Sequence, residues 1–165
     1  MQTIQILPEV IDAALCDRVR SMWSEKLSDD TLRSWAHRVQ RGAASHEFQC
    51  VELDEAVWPY VDDPRAEKGT CRPRILRYIG SAQNQGYERH VDNRGYGERD
   101  RLVSLVVMLS DPSEYEGGAL WIEGYGEHRL PKGSVIVFPS NHLHSVGKIT
   151  AGYRYVANYM WVGNV

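Results

Sequence analysis

The sequence predicts a mainly β domain of the α+β kind, an antiparallel sandwich or barrel with N-terminal helices buttressing the outside of one sheet. Three observations carry this. Short runs rich in Val, Ile, Leu, Tyr and Trp occupy 74–79, 101–109, 119–122, 134–138 and 153–162, each bounded by Gly, Pro, Asp or Asn. The gaps between them are too short for crossover helices, which disfavours a parallel α/β sheet. Helical periodicity is confined to the stretch before Phe48.

Taken in order, Ile11, Leu15, Val19 and Met22 recur every three or four residues, which predicts a helix from Pro8 to near Leu27. Leu32, Trp35, Ala36 and Val39 repeat the pattern, with Asp29 and Asp30 as caps and Gly42 as the stop. Among the strands, Leu102 to Leu109 is apolar almost throughout, as expected of a strand covered on both faces. In the last strand, Arg154, Val156, Asn158 and Met160 alternate with Tyr155, Ala157, Tyr159 and Trp161, so Arg154 and Asn158 share a face. If that face looks into a barrel, a buried guanidinium needs an anionic partner.

The 165 residues, 42% hydrophobic and 25% charged, fit one domain over 1–165, with a helical buttress at about 8–42 and a barrel core at about 74–162. Nineteen basic against twenty-two acidic residues give a net charge of −3, which removes any sequence-wide cationic field for nucleic acid or anionic lipid. No apolar run approaches the ~20 residues of a membrane span, and Met1 to Leu15 lacks the pattern of a signal peptide. Cys16, Cys50 and Cys71 are few, odd in number and far apart, which fits free thiols in a reducing compartment. The expectation is a cytoplasmic protein without nucleic-acid or membrane partners.

The densest polar cluster beside strand-like sequence is Gly86-Tyr87-Glu88-Arg89-His90-Val91-Asp92-Asn93. In extended chain His90 and Asp92 project from one face and can clamp one metal ion. A third ligand is available in Phe138-Pro139-Ser140-Asn141-His142-Leu143-His144, from either His142 or His144. Two imidazoles and a carboxylate on one side of an ion form the facial triad of nonhaem Fe(II) oxygenases, which leaves positions open for a bidentate cosubstrate and O₂. Ten residues after His144, Arg154 supplies a fixed cation suited to the far carboxylate of a dicarboxylate.

With these residues in place, the chain resembles the 2-oxoglutarate-dependent Fe(II) oxygenases of the prolyl 4-hydroxylase type. The resemblance covers about 74–162 and rests on His90-x-Asp92, on Glu116-Gly117-Gly118-Ala119-Leu120, and on His144-Ser-Val-x-x-Ile-Thr-x-Gly-x-Arg154. The stretch Gly-Tyr-x-Arg-His-Val-Asp-Asn looks especially like the oxygen-sensing prolyl hydroxylases and their bacterial relatives. It implies a double-stranded β-helix, the jelly-roll or cupin-like barrel, with Fe(II) held by His90, Asp92 and His144. It also implies 2-oxoglutarate bound through Arg154 and Tyr78, O₂ as the second cosubstrate, and ascorbate as a candidate reductant. The implied reaction is hydroxylation of an unactivated C–H, with a prolyl residue in a protein or peptide leading and a free amino acid or small biosynthetic intermediate as the alternative. Retention of Asp92 argues for hydroxylation, because related halogenases lack that carboxylate.

Candidate substrate or lid residues are Tyr87, Arg94, Tyr96, Arg101 and Asn158; the loop from Asn93 to Asp100 is the expected lid, and Arg101 falls where the oxygen sensors carry an arginine at the substrate entrance. The chain departs from the family pattern at Met108, where an aromatic or polar cosubstrate partner is usual, and at Met160, where a tryptophan is expected. A cupin with another metal is disfavoured because Ile136 stands where its second motif needs a histidine after Pro131-Lys132-Gly133. A noncatalytic cupin-like ligand-binding module is expected to have lost a ligand or the arginine, and none is missing. A nucleic-acid demethylase is disfavoured by the negative charge. Spacing to Gly152 and Arg154 favours His144 over His142; His37, His46 and His128 match nothing.

Overall fold

The structure, a computed structural model, describes residues 1–27, 43–80, 85–93 and 99–164. The chain opens with β1 (Gln5–Leu7), α1 (Ala13–Arg20), β2 (Ala43–Glu47), α2 (Val51–Val57) and a 3₁₀ turn at Trp58–Tyr60. The strands β3 (Arg74–Ile79), β4 (Tyr87–His90), β5 (Asp100–Met108), β6 (Tyr115–Gly117), β7 (Leu120–Ile122), β8 (Gly126–His128), β9 (Val135–Pro139), β10 (His144–Val146) and β11 (Ile149–Gly163) follow. They form two antiparallel sheets. The larger runs β1-β9-β5-β11-β3-β2 with β6 also on β11, and the smaller runs β4-β10-β7-β8.

Alternation along β5 and β11 separates two apolar layers, as the sequence predicts. Val103, Leu105, Val107, Ala157, Tyr159 and Trp161 face outward against Leu15, Val19, Leu53 and Val57 of the two helices. Val106, Met108 and Val156 face inward, where Tyr78, Leu120, Ile122 and Phe138 close the space between the sheets. Tyr159 adds a 2.8 Å hydrogen bond from its hydroxyl to Asp54 of α2, tying that helix to the central strand.

The helices differ from expectation. The first is shorter than Pro8 to Leu27: Asp12 caps it through Ala14 N–H at 3.0 Å, and Ile11 just before it donates to Gly133 O at 2.9 Å, a tertiary bond outside any helix. At its far end Trp23 packs on the His46 ring, centroids 4.8 Å apart, and Met22 is exposed. The helix expected over Leu32 to Val39, its caps Asp29 and Asp30 and its stop Gly42 lie outside the described residues. The second element that buttresses the sheet among the described residues is α2 (Val51–Val57), in a stretch read from the sequence as the start of β structure. It has two buried residues, Leu53 and Val57, too few to display a period. Strands β1 and β2 were also not anticipated; each is short and lies at an edge of the larger sheet.

All three cysteines are free. No helix among the described residues is long and apolar enough to cross a membrane.

Candidate active site

The smaller sheet brings two of the predicted ligands together by register. His144 on β10 stands directly opposite His90 on β4, with ring centroids 4.2 Å apart. Asp92 lies just beyond the end of β4 and is fixed by its own backbone, whose N–H donates to Ser140 O at 2.7 Å. Its carboxylate then sits between the two imidazoles, Oδ1 3.3 Å from His90 Nε2 and Oδ2 3.4 Å from His144 Nε2. One ligand atom from each of the three lies within 4.8 Å of the others, a spacing suited to a single ion bound at about 2.0–2.2 Å from each.

The outer nitrogens are held by main chain. His90 Nδ1 lies 2.6 Å from Glu88 O and His144 Nδ1 lies 2.9 Å from His142 O, so each Nδ1 carries the proton and each Nε2 presents its lone pair to the same point. Burial lowers the pKa of His144 and keeps its imidazole neutral. Burial alone would raise that of Asp92, yet its pKa is lowered, with Ser104 donating to Oδ2, and the carboxyl stays ionised. The donor set is therefore in the protonation state a divalent cation requires.

Ser104 was not anticipated as a site residue. It is the one polar residue within the apolar run of β5, faces inward, donates to Asp92 Oδ2 at 2.9 Å and lies 2.9 Å from Ser140 Oγ. An isolated serine at an inward position of a doubly covered strand was the available signal.

Arg154 is 2% exposed, and its Nε and Nη1 have no hydrogen-bond partner. A buried cation with unused donors fits an incoming anion. Tyr78 is its cross-strand partner, with the guanidinium carbon 5.1 Å from the ring centroid. Burial pushes the Tyr78 hydroxyl well above the ordinary tyrosine range, which keeps it a proton donor. Two glycines make the approach possible. Gly152, at φ 77°, bends the start of β11 where a Cβ would run into Glu114 O, and Gly118, at φ 67°, leaves room where a Cβ would stand 3.1 Å from Arg154 Cδ.

His90, Asp92, His144, Ser104, Arg154 and Tyr78 line one cavity of about 1110 Å³ between the sheets, together with Tyr87, Arg101 and Asn158. Two β-bulges set its lining. In β4 the register jumps from His144↔His90 to Val146↔Tyr87, which turns Tyr87 onto the face of His90, their rings 4.1 Å apart. In β5 the ladder passes from Trp161↔Val103 to Val162↔Arg101, skipping Leu102, and this returns Arg101 to the inner face, with Nη1 3.5 Å from Asp92 O. Asn158 shares the inner face with Arg154, and its Oδ1 is buried without a partner.

Other expectations fall elsewhere. Arg94 and Tyr96, with most of the expected lid, lie outside the described residues, as does His37. His142 is not on the strand with His144; its Nε2 contacts Glu123 O at 2.9 Å and its carbonyl orients His144. His46 and His128 are engaged with backbone away from the cavity. Met160 lines the cavity, whereas Met108 is buried in the inner apolar layer.

Residues 73–162 match the 2OG-Fe(II) oxygenase superfamily. A PKHD-type hydroxylase of Acinetobacter baumannii is 45% identical over 180 aligned positions, covering 96% of this chain and 77% of that protein. A Pseudomonas putida prolyl-4-hydroxylase superposes with a TM-score of 0.69 at 18% identity, covering 99% of this chain and 94% of that one. A prolyl hydroxylase from Trichoplax adhaerens, solved with a hypoxia inducible factor peptide fragment, superposes with a TM-score of 0.65 at 15% identity over 97% of this chain and 83% of that one. The two facing antiparallel sheets are thus a double-stranded β-helix, and the chain belongs to the 2OG-Fe(II) oxygenase superfamily, as an iron- and 2-oxoglutarate-dependent dioxygenase.

Proposed function

We propose that this dioxygenase hydroxylates a prolyl residue within a peptide or protein, with His90, Asp92 and His144 holding Fe(II) and with Arg154 and Tyr78 receiving the far carboxylate of 2-oxoglutarate. The observation that carries the site assignment is the pair of unpartnered donors on the buried Arg154 guanidinium, in the same cavity as three converging ligand atoms. When bound, iron and 2-oxoglutarate supply the chemistry that puts one oxygen atom of O₂ into a C–H bond and releases succinate and CO₂.

The protein's share is placement. Glu88 O and His142 O fix the imidazole tautomers, Ser104 fixes the Asp92 carboxylate, and the guanidinium fork with the Tyr78 hydroxyl fixes the orientation of the diacid. Tyr87 and Arg101, turned inward by the two bulges, and Asn158 bound the space left for the substrate. The peptidyl reading is supported by the PKHD-type hydroxylase relative and by the Trichoplax neighbour, which holds a peptide in this fold. We take residues 1–165 as a single dioxygenase domain, since β1 and both helices pack on the larger sheet, whose inner face carries Arg154, Tyr78 and Ser104. Three unpaired thiols support a reducing, cytoplasmic setting.

The test is aerobic turnover with Fe(II) and 2-oxoglutarate over a panel of prolyl peptides and free amino acids, following succinate and the gain of one oxygen atom by mass spectrometry. The reading predicts stoichiometric coupling with a prolyl peptide. Coupling with a free amino acid and with none of the peptides would overturn it.

A further inference from the structure

At the end of the cavity away from Arg154, four arginines line the wall: Arg72, Arg74, Arg99 and Arg101. They lie at the starts of two strands or just before them. Arg74 opens β3 opposite Asn158, with Arg72 two residues earlier; Arg101 is the second residue of β5, opposite Val162, with Arg99 just before the strand. Arg101 faces inward only because of the bulge at Leu102, a deformation of a kind common beside active sites.

Among the described residues, the acids within reach do not balance this charge. Arg99 is paired with Glu67, and Arg74 lies 3.9 Å from Glu47 and is hydrogen-bonded to Ser45 Oγ at 3.1 Å. Arg72 and Arg101 have no acidic partner among the described residues. Two guanidinium groups without an acidic partner among the described residues, set in a concave wall, focus a positive potential at this end of the cavity.

The cosubstrate does not answer this second demand for an anion, because the reading above already places its far carboxylate on Arg154 and its keto acid end on the metal. From Arg154 to Val162, the cross-strand partner of Arg101, is eight residues along β11, about 26 Å at ~3.3 Å per residue. A five-carbon diacid held at Arg154 does not span that length of backbone, and Arg101 Nη1, 3.5 Å from Asp92 O, stands on the far side of the metal ligands from Arg154. Between the two ends lies the buried, unpartnered Asn158 Oδ1, an acceptor suited to a peptide N–H.

Building on the prolyl-peptide reading above, we propose that the outer half of the cavity is an oxyanion-binding subsite that selects peptides carrying an acidic side chain next to the hydroxylated residue, with Arg101 and Arg72 as the specificity-determining cations. Glutamate, aspartate and phosphoserine share the required chemistry, an oxyanion matched to the guanidinium fork.

The experiment measures binding rather than turnover. Enzyme loaded anaerobically with Fe(II) and 2-oxoglutarate is titrated with four blocked tripeptides that have proline at the centre and Glu, phosphoserine, Gln or Lys on both sides. The visible charge-transfer band of the loaded enzyme is recorded first, so failure of the iron and 2-oxoglutarate assignment shows as a missing band before any peptide is added. The proposal predicts that the Glu or phosphoserine peptide binds at least about tenfold more tightly than the Gln peptide, the size of one charge-assisted contact. Whichever of the two binds more tightly names the source of the oxyanion. The preference falls severalfold in Arg101→Gln and again in Arg72→Gln, and it shrinks with added salt. Arg72 contacts none of the metal-binding residues, so Arg72→Gln carries the test if Arg101→Gln disturbs loading. Equal affinity for the acidic and Gln peptides on loaded enzyme, or preference for the Lys peptide, overturns the proposal.

Discussion

Ser104 Oγ donates a 2.9 Å hydrogen bond to Asp92 Oδ2, the oxygen that also faces His144 Nε2. The serine is 2% exposed and is itself backed by Ser140, so the carboxylate is aimed by two buried hydroxyls rather than by solvent. Partners of this kind around a metal ligand commonly account for a 10- to 100-fold share of metal affinity, by roughly that factor. Ser104→Ala is therefore expected to weaken Fe(II) binding about 10- to 100-fold while the fold persists, as measured by anaerobic iron titration alongside far-UV circular dichroism.

Arg154→Ala removes the buried cation that the diacid needs. The expected loss in 2-oxoglutarate binding is about 2–5 kcal/mol, the usual cost of truncating one side of a buried charge pair. Arg154→Lys should recover only part of it, because a single ammonium does not reproduce the fork. Calorimetric titration of 2-oxoglutarate into the iron-loaded variants checks both. Tyr78→Phe should weaken the same equilibrium by a smaller factor.

Gly118→Ala drives a methyl group into Ile149 Cδ1 and against Arg154 Cδ at a backbone angle of φ 67°. The crowding falls on Ile149 of the inner apolar layer and on Arg154, not on the metal ligands. The variant is expected to lose about 1 kcal/mol or more of stability and to bind 2-oxoglutarate more weakly, with Fe(II) affinity nearly kept. Chemical denaturation and the two titrations separate these outcomes.

Asp63 is buried against Arg65, whose side chain it meets at 2.7 Å. The hydrogen bond from Arg65, aided by charge, holds the Asp63 carboxyl down at about 2. Because the folded value lies below the unfolded one of about 3.9, the stabilisation is fully present above about pH 4 and is lost as pH falls towards 2. Asp63→Asn should cost about 1–2 kcal/mol at pH 7, and the gap to the parent protein should narrow between pH 4 and pH 2 in urea unfolding.

Much of the site was legible because its parts lie on strands whose period is readable. Alternation in 153–162 placed Arg154 and Asn158 on one inner face, and the apolar run before Leu109 marked a strand covered on both sides. Elements that owe their form to distant partners were not legible. The first helix begins at Ala13 because Ile11 just before it is bonded to Gly133, a residue far along the chain, and α2 is too short to show a period. The inward turn of Tyr87 and Arg101 depends on register shifts against β10 and β11, which no local pattern of β4 or β5 announces. Ser104 was visible as a lone polar residue in an apolar strand, but its partner Asp92 becomes its neighbour only in the folded barrel.

The central claim is that His90, Asp92 and His144 bind one ferrous ion with 2-oxoglutarate steered by Arg154. Its most direct test is anaerobic addition of Fe(II) and then 2-oxoglutarate, following the visible charge-transfer band of the chelated cosubstrate. The expected result is one equivalent of iron per chain giving the band in the parent protein, no band in His144→Ala, and a band that needs far more 2-oxoglutarate in Arg154→Ala. A band of full strength and unchanged 2-oxoglutarate dependence in both variants would place the metal and its cosubstrate somewhere else.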